Sequence, residues 1–144
     1  MQPNFSTSDF SYELPEARDG AELTVVTVKR QSMTVLSVEG EIDLLTAPQL
    51  AGAVATALVD ESRCLIIDLT NTTFLSSAGM QVLIDAQTDM PSGGYVGVVA
   101  DGSSTSRPMK LMGLDQILAL SPTLDAAITT FAHADRDDAE SLIA

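Results

Sequence analysis

The chain has no tryptophan, only two tyrosines and only four phenylalanines among 144 residues. Its core must therefore be built from Val, Ile, Leu, Ala and Met, which favours α/β layers over an aromatic-rich β-sandwich. A single cysteine, Cys64, cannot close an internal disulfide, and nothing points to an oxidising compartment. It heads an apolar run and reads as a buried thiol. Basic residues number 7 against 20 acidic ones, a formal net charge of −13. Such a surface repels phosphate backbones and anionic membranes, so neither nucleic acid nor membrane is an expected partner. The surplus either steers a basic protein partner or serves solubility alone. No apolar run approaches the roughly 20 residues that span a bilayer. Residues 1–20 carry neither the basic n-region nor the apolar h-region of a signal peptide. A soluble, cytoplasmic protein is expected.

Chemistry-bearing constellations are equally scarce. The one histidine, His133, is followed by Asp135, Asp137 and Asp138. A lone imidazole beside a fraying acidic end does not make a metal site. No Ser-His-Asp arrangement has a nucleophile context, and Gly93, Gly94 and Gly97 do not form a phosphate-binding fingerprint. No catalytic residue, cofactor or metal is expected, and the chain does not read as an enzyme.

What is present is a well-punctuated apolar pattern, 45% of the residues being apolar. This length suits one domain with a sizeable core. Residues 1–20 are polar and read as a mobile tail. Leu23 to Arg30 and Met33 to Gly40 are β-branched runs of period two, joined across Gln31-Ser32 as a hairpin. Gly40 to Leu45 leads into a helix in which Thr46 and Gln49 form a capping box, with Pro48 in the first turn. Leu50, Val54 and Leu58 make its apolar stripe, and it ends near Asp60. Cys64 to Leu69 lacks alternation, as a central strand covered on both faces does.

A second helix follows Ser77, with Met80, Leu83, Ile84 and Gln87 on one side, and stops before Pro91. Tyr95 to Ala100 is another buried strand. Asp101 to Ser106 is a small-residue loop, and Ser106 caps a short helix ended by Gly113. Met109, Leu111 and Met112 in it read either as core or as an exposed partner patch. Ile117 to Leu120 forms a short edge strand. Ser121-Pro122 opens a last helix with Leu124, Ala127, Ile128 and Phe131. The predicted fold is a single α/β domain over residues 21–133 with an acidic tail at 134–144. Its mixed sheet has the element order ββαβαβαβα, with helices packed mainly on one side.

The most informative stretch runs from Leu65 to Met80. A buried strand leads through a turn shaped by Thr72 and Thr73 to two adjacent serines at a helix start. A hydroxyl there lies beside unpaired backbone N–H groups at the positive end of a helix dipole, a place that tolerates phosphate. Ser76 reads either as an N-cap or as part of a phosphorylation switch.

Two segments together, Val38 to Ala47 (VEGEIDLLTA) and Asp68 to Met80 (DLTNTTFLSSAGM), resemble the STAS domain, and most closely the bacterial anti-sigma factor antagonists. Lys110 to Leu118 is similar to the third helix and last strand of that family, and the resemblance spans roughly residues 21 to 133. It implies a single STAS-like domain that binds an anti-sigma factor which is also a serine kinase, and so releases a sigma factor. Phosphorylation of a serine at the start of the second helix then ends the binding, and a separate phosphatase resets it. By resemblance Ser77 is that serine, with Ser76 the second candidate. The acidic residue common before it is replaced by Ser76, the serine after it by Ala78, and Gly79 matches. The partner-binding residues so implied are Asp43, Thr46, Ser76, Ser77, Gly79 and Met80, with the Glu41–Thr46 loop as a whole on the partner-binding side, on a monomer or weak dimer. From the residues alone, Thr46 is also explained as a cap and Asp43 as a solvated loop acid. A second reading, drawn from the same anion-friendly turn, is a STAS module that binds a nucleotide or other small anion without phosphorylation.

Overall fold

Leu23–Arg30 (β1) and Met33–Ile42 (β2) form an antiparallel hairpin in a computed structural model, which describes residues 22–60 and 63–143, with side chains through 133. The expected 1–20 tail lies outside the described residues. Gln31 takes φ 54° in the two-residue connection, filling a position more often given to Gly. Ala47–Val59 (α1), Cys64–Leu75 (β3), Ser77–Asp89 (α2), Tyr95–Val99 (β4), Ser106–Leu111 (α3), a short 3₁₀ turn at Leu114–Gln116, Ala119–Ser121 (β5) and Leu124–Ile143 (α4) follow. The acidic residues from 134 onward continue the backbone of α4.

The sheet has the order β1-β2-β3-β4-β5, antiparallel at the hairpin and parallel from β2 onward. Successive side chains of a strand point to opposite faces, so the central strands β2, β3 and β4 feed two cores. On one face Leu36, Val38, Leu65, Ile67, Leu69 and Val98 pack with Leu50, Val54 and Ala57 of α1, Met80, Leu83 and Ala86 of α2, and Met109 of α3. On the other, Cys64, Ile66 and Val99 meet Ala127 of α4, with Leu124, Ile128 and Phe131 beside it. Most of the helices thus share one face, as expected. Cys64 is fully buried, as its setting in the sequence implied.

The strand β3 runs longer than its sequence suggests. Opposite β2 its register shifts between Ser37 and Glu39 and again between Gly40 and Glu41, so β3 carries an extra residue at each place. These bulges bring Leu69, Thr72 and Leu75, spaced by three, to one side, all buried. The expected turn at Thr72 and Thr73 is therefore strand. The Thr72 hydroxyl donates to the Val38 carbonyl at 3.0 Å, which satisfies it inside the sheet.

The later elements shift by a residue or more from expectation. Ser106 lies inside α3 rather than capping it; its Oγ accepts from the Gly102 amide at 2.9 Å and closes the preceding loop on itself. The last strand is Ala119–Ser121, because the 3₁₀ turn draws Leu114 and Leu118 into the core first. Thr123 caps α4: its Oγ1 accepts from the Ala126 amide at 3.1 Å. Met109 is wholly buried, whereas Leu111 and Met112 are exposed.

Candidate functional site

Parallel neighbours leave a sheet at the same end, and β2 and β3 do so side by side. Ile42 stands opposite Leu75, and the Ser76 amide donates to the Ile42 carbonyl at 2.9 Å. The loop after β2 and the first turn of α2 are thereby fixed against each other. These are the two segments that carry Asp43, Thr46, Ser76, Ser77, Gly79 and Met80, so the fold brings all of the expected residues to one end of the sheet.

The first loop is a reciprocal clamp. Asp43 Oδ1 accepts from the amides of Leu45 and Thr46, each at 2.9 Å. Thr46 Oγ1 accepts from the Asp43 amide at 2.9 Å and donates to the Glu41 carbonyl at 2.7 Å. Hydrogen bonds from these amides and from the Thr46 hydroxyl, that of the Thr46 amide foremost, outweigh partial desolvation and hold the Asp43 carboxyl below the usual aspartate range. Asp43 is therefore a fixed anion at neutral pH.

The expected capping box does not form. Thr46 keeps helical φ/ψ (−97°, −18°) and its side chain makes no cap bond to α1. Pro48 offers no amide, and the Gln49 amide already donates to the Thr46 carbonyl at 2.9 Å. Nothing remains in reach for the hydroxyl to cap, so it turns back to the loop. Gln49 in turn sends its Nε2 to the Leu23 carbonyl at 2.6 Å, tying α1 to β1.

The second segment follows the expected geometry more closely. Ser76 is the N-cap of α2 with extended backbone (φ −84°, ψ 172°), and its Oγ accepts from the Gly79 amide at 3.2 Å. Its hydroxyl is thereby committed to structure. Ser77, the first residue of α2, is exposed, and its hydroxyl has no hydrogen-bond partner among the described residues. Gly79 is buried against the strand ends. A Cβ there would lie 2.6 Å from Ile42 Cγ2 and 2.7 Å from Leu75 Cδ1. Thr46, Gly79 and Met80 are buried, so Asp43 and Ser77 are the members of the set that present chemistry outward.

Three exposed apolar side chains complete this end of the molecule: two on the Glu41–Thr46 loop, which the resemblance put on the partner side without naming them, and Phe74, which the sequence reading did not single out. Leu44 is 77% exposed, Leu45 70% and Phe74 49%. The signal was available: adjacent leucines directly after Asp43, where a turn ordinarily carries polar residues. Elsewhere, an open cavity of about 540 Å³ is lined by Asp101, Gly102, Ser103, Ser106, Arg107, Lys110 and Leu111. His133 is exposed on α4, and no group of three His, Cys, Asp or Glu among the described residues could hold a metal. No helix of the described residues is long and apolar enough to cross a membrane.

Known proteins share this fold. The STAS domain family matches residues 24–127. The anti-sigma-F factor antagonist RsfB of Mycobacterium tuberculosis is 40% identical over 107 residues, 74% of this chain and 88% of the relative. The crystal structure of an anti-sigma factor antagonist from Mycobacterium paratuberculosis has a TM-score of 0.74 at 38% identity, covering 76% of this chain and 93% of that one. A Thermotoga maritima structure at 18% identity shares the fold, with a TM-score of 0.68 over 74% of this chain and 92% of its own. The chain belongs to the STAS domain family, and its relatives there include anti-sigma factor antagonists.

Proposed function

We propose that the chain is an anti-sigma factor antagonist whose partner surface is the end of the sheet built by the Asp43–Thr46 loop and the first turn of α2. The observation that carries this reading is the division of labour between the two serines. Ser76 is held as the cap, while Ser77 stands exposed and unpartnered at the first position of the helix. A kinase reaches such a hydroxyl without unfolding anything. A phosphate there adds about −1.5 to −2 charges and three acceptor oxygens at a helix N-terminus that accommodates them. Any protein packed on that turn then meets bulk and charge that it must desolvate. A loss of roughly 3 to 4 kcal/mol weakens binding several hundred-fold, so a rigid block suffices.

In this reading the partner is an anti-sigma factor with serine kinase activity, a phosphatase resets Ser77, and the chain acts in the cytoplasm without catalysis of its own. The similarity to an anti-sigma-F factor antagonist supports it. The test is calorimetric titration into purified Mycobacterium tuberculosis anti-sigma-F factor, with RsfB as control. Wild type and Ser77→Ala are expected to bind, and Ser77→Asp to lose binding. Equal affinity for all of them counts against phosphorylation at Ser77.

A second reading, a module that takes a small anion, is drawn in the sequence at the Ser77 turn; the open cavity beside Arg107 and Lys110, two of the few cations of this acidic chain, is a different place that favours it instead. Nucleotide titration that leaves the melting temperature unchanged removes it.

A further inference from the structure

We infer that Leu44, Leu45 and Phe74 are the anchor of the partner surface, and that they fit a partner face that is apolar at its centre and rimmed with cations. The inference rests on the functional reading above and says which residues supply the affinity. Half of the residues that sequence motifs mark at this end are interior: Thr46, Gly79 and Met80 offer a partner little area. The area lies instead on Leu44, Leu45 and Phe74, whose exposure is unusual for residues of this size.

Their setting also favours binding. Leu44 and Leu45 ride on the turn closed by Asp43 and Thr46, and Glu41 stands opposite Phe74 in the β2–β3 register. Leucines held on a pinned turn give up little backbone freedom on docking, so more of their burial appears as affinity. Buried apolar anchors surrounded by polar groups are where interface energy concentrates.

Charge defines the rim. Between Arg30 and Arg107 the chain has one basic residue, Arg63. Arg63 precedes β3 and so lies at the opposite end of the sheet from Leu75. Glu41 and Asp43 flank the leucines, and Asp43 stays ionised. A partner with acidic groups at the edge of its contact face would be repelled, whereas lysines and arginines there would be steered in.

The test uses the full chain and purified Mycobacterium tuberculosis anti-sigma-F factor, with RsfB as the positive control. Leu44→Ser combined with Leu45→Ser is expected to weaken binding by roughly a hundredfold and Phe74→Ser by roughly tenfold. Leu111→Ser combined with Met112→Ser, at an equally exposed apolar pair elsewhere, is expected to leave affinity unchanged. Affinity of the wild type should fall as salt rises. Thermal unfolding by circular dichroism checks that each variant folds, and little change is expected for side chains this exposed. Wild-type affinity in the Leu44/Leu45 variant, or a loss confined to the Leu111/Met112 variant, overturns the inference while the functional reading stands. No binding by wild type when RsfB binds overturns that reading and the inference together.

Discussion

Gly79 shows how one missing side chain decides where a helix sits. Its α-carbon lies so close to Ile42 and Leu75 that a methyl group would enter both side chains. Alanine is the better helix former by about 1 kcal/mol, but overpacking of this kind costs about 1–3 kcal/mol. Gly79→Ala is therefore expected to lower stability, read as a lower urea midpoint at unchanged slope, despite the gain in propensity.

Asp43 makes a pH prediction at the same scale. Its folded-state pKa is depressed, so the carboxylate stabilises the fold above the usual aspartate pKa, and that contribution is lost as pH falls through the folded value. Asparagine keeps an acceptor for the Leu45 and Thr46 amides but does not titrate. The stability advantage of wild type over Asp43→Asn should shrink as pH drops below the usual aspartate range, with the melting curves converging.

Tyr95 gives the opposite kind of case. Its hydroxyl is buried without a hydrogen-bond partner, and burial first, then the nearby Cys64, push its pKa up. An unmet buried hydroxyl costs about 1–3 kcal/mol. Tyr95→Phe keeps the ring against Phe131, 5.7 Å away between centroids. It should raise the melting temperature.

At the scale of elements, β3 organises the molecule because both of its faces are covered and both of its ends have work to do. Ile66 is fully buried in the core that α4 closes. Ile66→Ala should cost about 2–5 kcal/mol by chemical denaturation. Cys64, buried in that same core, should resist thiol reagents in the native protein and react at the rate of unfolding. The far end of β3 does something different. Its two bulges turn Thr72 inward and then cancel, so that Leu75 is inward and Phe74 outward, opposite Glu41. Ordinary alternation from Leu69 would have put Thr73 inward instead. The bulged register is thus what seats Thr72 in the core between Leu69 and Leu75, while Phe74 faces outward as simple alternation from Leu69 would also leave it.

Over the whole molecule, a formal charge of −13 acts on both folding and encounter. Raising ionic strength from about 0.01 M to about 0.15 M shortens the screening length from ~30 Å to ~8 Å. Self-repulsion within the compact chain then weakens, so the melting temperature should rise with salt. Association with a cationic partner should slow over the same range, because steering acts mainly on the on-rate. Stopped-flow mixing separates this from any change in dissociation. Stability and encounter thus respond to salt in opposite directions, which distinguishes a general charge effect from loss of fold.

The order of elements, the α/β class, the hairpin, the buried Cys64 and the N-cap at Ser76 were legible in the residues themselves. They rest on periods of two and 3.6 and on cap chemistry, which act between near neighbours in the chain. The reach of Gln49 to Leu23, the bulged length of β3 that seats Thr72 inside, and the exposure of Leu44 and Leu45 were decided only by tertiary structure. A hydroxyl or amide takes whichever partner the assembled fold leaves open. For Thr46 the local choice was closed by Pro48 and by an amide already in use, so its partners came from the end of the sheet.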